Sequence, residues 1–178
     1  MSRWASESSI QEAVLGVGGA AERVIADVWP ACFRLAAATL GDRTLAQDAA
    51  QEICVILHRK IRSVRSPAAF DAWFYRTAMR EIARIRRKYR RHDETVERFT
   101  DTADSTSLDV WNALDQLSSE MRDAVVLFYF YDLKTSDIAL ALNVPDTTVR
   151  TRLNRARDRL RDILKEYEPL QTRESTHA

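Results

Sequence analysis

The stretch Val149-Arg150-Thr151-Arg152-Leu153-Asn154-Arg155-Ala156-Arg157-Asp158-Arg159-Leu160-Arg161-Asp162-Ile163-Leu164 decides the fold of this chain. Val149, Leu153, Ala156, Leu160 and Ile163 recur at steps of four, three, four and three, the spacing of one narrow apolar stripe on an α-helix. At about 100 degrees per residue, Thr147, Thr151, Asn154 and Arg155 project away from that stripe, with Thr148, Arg150 and Arg157 on its flanks. The outward face carries hydroxyl, amide and guanidinium groups and almost no carboxylates. Upstream, Ser136 is placed to cap a helix over residues 137–142, and Asn143 and Val144 form a turn so short that the two helices must cross. Asn143 tolerates a left-handed backbone, and Pro145 fits a helix start, where its missing N–H costs nothing. Asp146 suits the positive end of the helix dipole, and Ala139 is small enough for the second helix to approach closely. The stretch reads as a helix-turn-helix. A solvated amphipathic helix would explain the arginines alone, but the short turn and small residue agree with the basic excess in favouring DNA.

Composition extends the reading to the whole chain. With 178 residues and 46% hydrophobic content, one or two domains with a substantial core are expected. Three of the four glycines fall between positions 16 and 19, and Gly41 and the prolines sit where helices would start or stop, so the expected fold class is all-α. The net charge of +1 hides segregation: residues 84–91 hold six cations in eight, and residues 93–109 hold six acids against one arginine. Such blocks fit a polyanion-binding region followed by a solvated linker. Glu7 and Glu12 stand where a signal peptide would need a basic start and an apolar run, and no stretch is apolar enough to span a membrane. A cytoplasmic protein with no membrane insertion is expected, and Cys32 and Cys54 then read as reduced thiols. His58, His92 and His177 are dispersed and no nucleophile–base constellation stands out, so no catalytic residue, cofactor or small-molecule substrate is expected. Cys54 and His58 lie four apart, but two ligands do not make a metal site.

In chain order, residues 1–21 read as a flexible or weakly helical leader. Residues 22–40 are helical, with Pro30 either kinking the helix or opening a second one, and Gly41 ends it. Thr44 and Gln47 form a capping-box pair for a helix over 45–61 with a core stripe of Leu45, Ala49, Ile53, Ile56 and Leu57. Its opposite face presents Gln47, Asp48, Gln51 and Glu52, suited to a basic protein partner or to water. Ser66-Pro67 opens the next helix, whose stripe is Phe70, Trp73, Phe74, Ala78, Ile82 and Ile85 and whose end is the arginine run. Trp73 and Phe74 fall on the core stripe, leaving Tyr75 and Tyr89 better placed to touch DNA. The first domain therefore spans 22–92, an acidic linker 93–107, a second helical domain 108–166 and a polar, disordered tail 167–178. In the second domain Leu108, Trp111, Leu114 and Leu117 mark one helix, and Met121, Ala124, Val125, Phe128 and Tyr131 another.

These motifs together resemble the extracytoplasmic-function group of sigma factors, the two-domain promoter-recognition subunits of bacterial RNA polymerase. The resemblance covers about residues 23–164. Ala46-Gln47-Asp48-Ala49-Ala50-Gln51-Glu52 is similar to the family's A-E-D-L-V-Q-E, and Phe70-Asp71-Ala72-Trp73-Phe74-Tyr75-Arg76 to its F-x-x-W-L-x-R. Thr148-Val149-Arg150-Thr151-Arg152-Leu153-Asn154-Arg155-Ala156-Arg157 is similar to T-V-K-S-R-L-x-R-A-R. The resemblance implies that Gln47, Asp48, Gln51 and Glu52 dock on core RNA polymerase. It places Tyr75, Arg76, Arg80, Arg84, Arg86, Arg87, Lys88, Arg90 and Arg91 on the downstream, minus-ten element of promoter DNA. Thr147, Thr148, Arg150, Thr151, Arg152, Asn154, Arg155 and Arg157 fall to the upstream, minus-thirty-five element. An anti-sigma protein is a further implied partner. Arg80, His58 and Thr147 depart from the usual Asn, aromatic and Gly of the family pattern. Two other readings compete: a helix-turn-helix regulator acting alone, which usually binds as a dimer, and a sigma-like adaptor that binds polymerase without reading promoters.

Overall fold

The computed structural model describes residues 4–89 and 105–166, with the side chains of 105–109 and 165–166 excepted. Its elements are all helical: α1 Glu7–Leu15, α2 Ala20–Leu40, α3 Arg43–Lys60, α4 Phe70–Tyr89, α5 Ser105–Asp115, α6 Ser119–Val125, α7 Thr135–Leu142 and α8 Asp146–Glu166. Short 3-10 turns at Ile61–Ser63 and Pro67–Ala69 join α3 to α4, and a π-helical turn, Val126–Phe130, continues α6. No strand occurs among the described residues.

Helices α1–α4 form one domain. The stripe predicted for α4 is its buried face: Phe70, Phe74, Ala78, Ile82 and Ile85 pack inward, while Trp73 is half-buried. On α3, Ala49, Ile53 and Leu57 are buried as expected, but the helix begins earlier than the Thr44–Gln47 pair indicated. Asp42 is the N-cap, its Oδ1 accepting the Leu45 N–H at 2.7 Å. Helix α2 runs unbroken through Pro30, whose position on the exposed face leaves room for water to reach the carbonyl it cannot serve.

Of the two readings of the leader, flexible or weakly helical, the structure has the helical one between residues 4 and 19, and that helix packs on the first domain. Ser6 caps α1 by accepting the Ser9 N–H at 3.1 Å, and Ile10 and Ala13 are buried against the domain. The glycines that read as flexible instead make the turn into α2, with Gly16 and Gly19 both at positive φ. Ahead of α1, the Trp4 indole N–H donates to the Tyr75 hydroxyl at 3.1 Å, and its ring packs 5.7 Å from that of Tyr131.

Helices α5–α8 form the second domain. Asn143 adopts the left-handed conformation at φ 55, its N–H bonding back to Ala139, and Val144 makes the short turn into α8. The cap at the other end of α7 differs from the reading: the helix starts at Thr135 after Lys134, and Ser136 lies inside its first turn. Val149, Leu153, Ala156 and Ile163 of α8 are buried and Leu160 is half-buried, as the periodicity predicts.

The two domains share one continuous apolar core. Helix α7 lies against α4, burying Ala141 and Met79. The polar tie is Arg86 on α4, whose two Nη groups donate to both carboxylate oxygens of Asp123 on α6 at 3.0 and 2.6 Å and also reach the Thr39 carbonyl at 3.3 Å. Burial pushes the Asp123 carboxyl above the usual carboxylate range against the pull of Arg86. The Tyr131 hydroxyl donates to the Ala31 carbonyl at 3.4 Å, bringing the second domain onto α2. Gly41 sits where the domains meet: it ends α2 at φ 70, and a Cβ there would lie 2.8 Å from Asp115 Oδ1.

Two stability outcomes follow from these contacts. Asp123→Ala strands a largely buried guanidinium and should cost about 3 kcal/mol, whereas the paired change Arg86→Met with Asp123→Leu recovers most of that loss. Urea unfolding followed by circular dichroism measures both, and an unaltered midpoint for Asp123→Ala would mean the pair is not buried in solution. Gly41→Ala combines a left-handed backbone with a close carboxylate and should lower stability by more than about 1 kcal/mol; an unchanged melting temperature would contradict the close approach.

Candidate nucleic-acid interface

Helix α8 presents the face that its stripe dictates. With Val149, Leu153 and Ala156 facing the core, Thr147, Arg150, Thr151, Asn154, Arg155 and Arg157 are exposed and Thr148 is half-buried. Several of these groups already have partners. Arg150 Nε pairs with Asp146 Oδ2 one turn earlier at 2.7 Å, and the Thr151 hydroxyl donates to the Thr147 carbonyl at 2.9 Å. Arg157 donates to the Tyr129 hydroxyl at 2.8 Å and to Asn154 Oδ1 at 3.2 Å, lying over the Phe128 and Tyr129 rings. Arg155 has no ion pair or hydrogen bond among the described residues, so its planar donor fork is free for the acceptors of a base edge or a phosphate. Arg152 is placed differently from the rest. It is half-buried and faces the cleft against α4, away from the outward surface.

The downstream set divides more sharply. Arg76, Arg80, Arg87 and Lys88 are exposed along α4 and carry the charge that phosphate contact needs. Tyr75 does not belong with them. It is 2% exposed, closed in by Trp4 and by the Tyr131 ring at 5.8 Å, so it cannot stack on a base in this arrangement. Arg86 is likewise withdrawn, because both of its Nη groups are held by Asp123. Arg84 remains exposed but is tied to Glu81, the Arg84 Nε donating at 2.7 Å, and that carboxylate pushes the guanidinium's pKa up. Arg90 and Arg91 lie outside the described residues.

On α3, Gln47, Gln51 and Glu52 are exposed and Asp48 is half-buried, forming the continuous acidic and amide face expected there. This face adjoins the cationic end of α4 across a shallow groove lined by Asp48, Gln51, Glu52, Arg84, Ile85, Lys88 and Tyr89. The Tyr89 hydroxyl donates to Asp48 Oδ2 at 3.4 Å across it. His58 turns to Glu22, with Nε2 3.2 Å from Oε1, and Cys54 is a buried free thiol. Among the described residues no group of three His, Cys, Asp or Glu side chains is arranged to hold a metal, and no helix is long and apolar enough to cross a membrane.

The helix-turn-helix and α4 coincide with two family models. Residues 24–92 match sigma-70 region 2 and residues 107–160 match sigma-70, region 4. Among curated relatives, the RNA polymerase sigma factor SigV of Bacillus subtilis is 30% identical over 70% of this chain and 78% of its own length. The ECF RNA polymerase sigma factor SigM of Mycobacterium tuberculosis is 33% identical over 74% of this chain and 70% of its own. Solved structures share the fold: the sigma factor RpoE of Bartonella quintana, in complex with the anti-sigma factor NepR, superposes with a TM-score of 0.71 at 22% identity, covering 81% of this chain and 96% of that one. CnrH, in complex with the cytosolic domain of CnrY, gives 0.68 at 21% identity over 90% and 97%. With both regions present in order and such relatives over most of its length, the chain belongs to the sigma-70 family, in its extracytoplasmic-function group of RNA polymerase sigma factors.

Proposed function

We propose that the chain binds core RNA polymerase in the cytoplasm and directs it to promoters, with no bond chemistry of its own. The outward face of α8 reads the upstream element, the free cations of α4 engage the downstream element, and Gln47, Asp48, Gln51 and Glu52 on α3 dock on the polymerase. The observation that carries the reading is the division of labour on α8: its apolar stripe is consumed by the core while Arg155, Asn154 and Thr151 stand outward on a helix entered through a tight left-handed turn. That geometry fits a helix laid into the major groove.

Engagement of the downstream element requires the domains to separate, since α7 packs on α4 and Met79 is buried beneath it. An anti-sigma protein fits the same scheme. The superposed sigma factor RpoE is seen with such a partner, NepR, and one that held the domains together would keep α4 covered.

Run-off transcription on fragmented source DNA with core polymerase tests the reading. New transcripts with defined starts should appear only when the chain is added. Co-elution with polymerase without transcripts would leave an adaptor, and separation on gel filtration would leave a regulator acting alone. Arg155→Ala should lower transcription from a responsive promoter by about tenfold to a hundredfold, the loss of one bidentate base contact, while co-elution with polymerase is unchanged. Equal losses in both measurements would remove Arg155 from the base-reading face.

A further inference from the structure

Three guanidiniums on α4 and one on α8 converge on the cleft that closure of the two domains creates. Arg76, Arg80 and Arg87 lie four and then seven residues apart, which puts them within about 40 degrees of one another around the helix. Arg152 faces them from the second domain across a space of about 290 Å³. None of the four has an ion pair or hydrogen bond among the described residues. The cleft's carboxylate, Asp123, is already held in both oxygens by Arg86, and apart from Asn143 the remaining lining is apolar. Four like charges are therefore gathered where the domains meet, and the Glu120 carboxylate on α6 offsets that of Arg152 in part without forming an ion pair with it. Coulomb repulsion between them opposes closure, and an anion between them removes that opposition.

We infer that this cleft is a binding site for a small polyphosphate, which bridges α4 to the helix-turn-helix domain and clamps the closed arrangement. Guanidinium forks match phosphate oxygens two at a time, and several of them around one cavity suit a chain of phosphates better than a single carboxylate. The volume lies at the small end of the range for ligand sites, enough for a short phosphate chain. With α7 packed on α4, the cleft between Arg152 and the α4 arginines is too small for a DNA duplex, so the occupant of the closed state is small. Inorganic polyphosphate and nucleotides share this chain of phosphates, and the test separates the two.

Calorimetric titration of the full chain with sodium tripolyphosphate should show one site, weakened steeply by added salt. Arg152→Ala and Arg80→Ala, one in each domain, should each weaken binding at least tenfold. Arg159→Ala, an exposed cation further along α8 with the same change in charge, should leave affinity within twofold. Equal weakening by Arg152→Ala and Arg159→Ala would reduce the effect to net charge, and undiminished binding by Arg152→Ala would confine it to α4; either overturns the inference. Guanosine triphosphate without magnesium should bind at least as well as tripolyphosphate. Nucleotide binding with no tripolyphosphate binding would overturn the phosphate chain as the recognised group. Because none of these readouts uses polymerase or promoter, they stand or fall apart from the transcription assay.

Discussion

Arg86 is the side chain on which the arrangement of this molecule turns. It leaves α4 on the edge of the first domain's core, reaches the Thr39 carbonyl near the end of α2 and delivers both Nη groups to Asp123 on α6. With side-chain exposures of 17% and 11%, the two ions have given up most of their water. A pair in that position adds little net stability over an apolar one, yet removing one partner is costly, because the other charge is left desolvated. Its effect is thus to specify how the domains dock. The surrounding contacts are of the same kind: Gly41 permits backbone approach to Asp115, and Tyr131 lies across the junction with its hydroxyl on Ala31. Tyr131 meets Trp4 and Tyr75 in one aromatic group, so the segment before α1 is fastened at the same place.

The near-zero net charge resolves into surfaces of opposite sign that are neighbours in space. The acidic and amide face of α3 adjoins the cationic end of α4, and the Tyr89–Asp48 hydrogen bond crosses the boundary. The surface proposed for polymerase and the one proposed for downstream DNA are consequently a few side chains apart on one rigid domain, and the sequence separation between them is only a hairpin of two packed helices. On α8 the balance differs. Arg150 and Arg157 have local partners and Arg155 has none among the described residues, so a single guanidinium concentrates the unspent hydrogen-bonding capacity of that face.

What could be read from the sequence was what depends on residues three or four apart. The α8 stripe, the α4 stripe and the left-handed turn at Asn143 are local, and each was legible as a pattern of residue types. The starts of α3 and α7 each fall two residues before the expected ones, because Asp42 caps α3 ahead of Thr44 and α7 begins at Thr135 with no side-chain cap to mark it. In the leader the helix was legible only as one of two alternatives, because Ile10, Ala13 and Val14 make a short stripe beside glycines at 16 and 19, whose positive φ forms a turn. Tyr75 and Arg86 carried no local sign of their fate at all. Their partners are Trp4, Tyr131 and Asp123, between 37 and 71 positions away, and only the docking of the domains brings those together. Arg152 belongs to the same class: its motif marks it for DNA, and the domain contact turns it into the cleft.

Closure and opening of the two domains therefore set which ligands this chain can hold. In the closed arrangement Arg76, Arg80 and Arg87 are exposed along the wall of the cleft, facing Arg152; apart, the same three would lose Arg152 and form one edge of an uncovered cationic strip. A ligand shifts such an equilibrium only by its differential affinity for the two states. A small anion that needs Arg152 as well as α4 has that difference built in, since the open state cannot present both domains to it. A duplex has the opposite preference, because α7 stands in its way when the domains are closed. The same arginines then serve mutually exclusive ligands, and the tie between Arg86 and Asp123, at the wall of the cleft, sets how much free energy a ligand of the open state must supply to prevail.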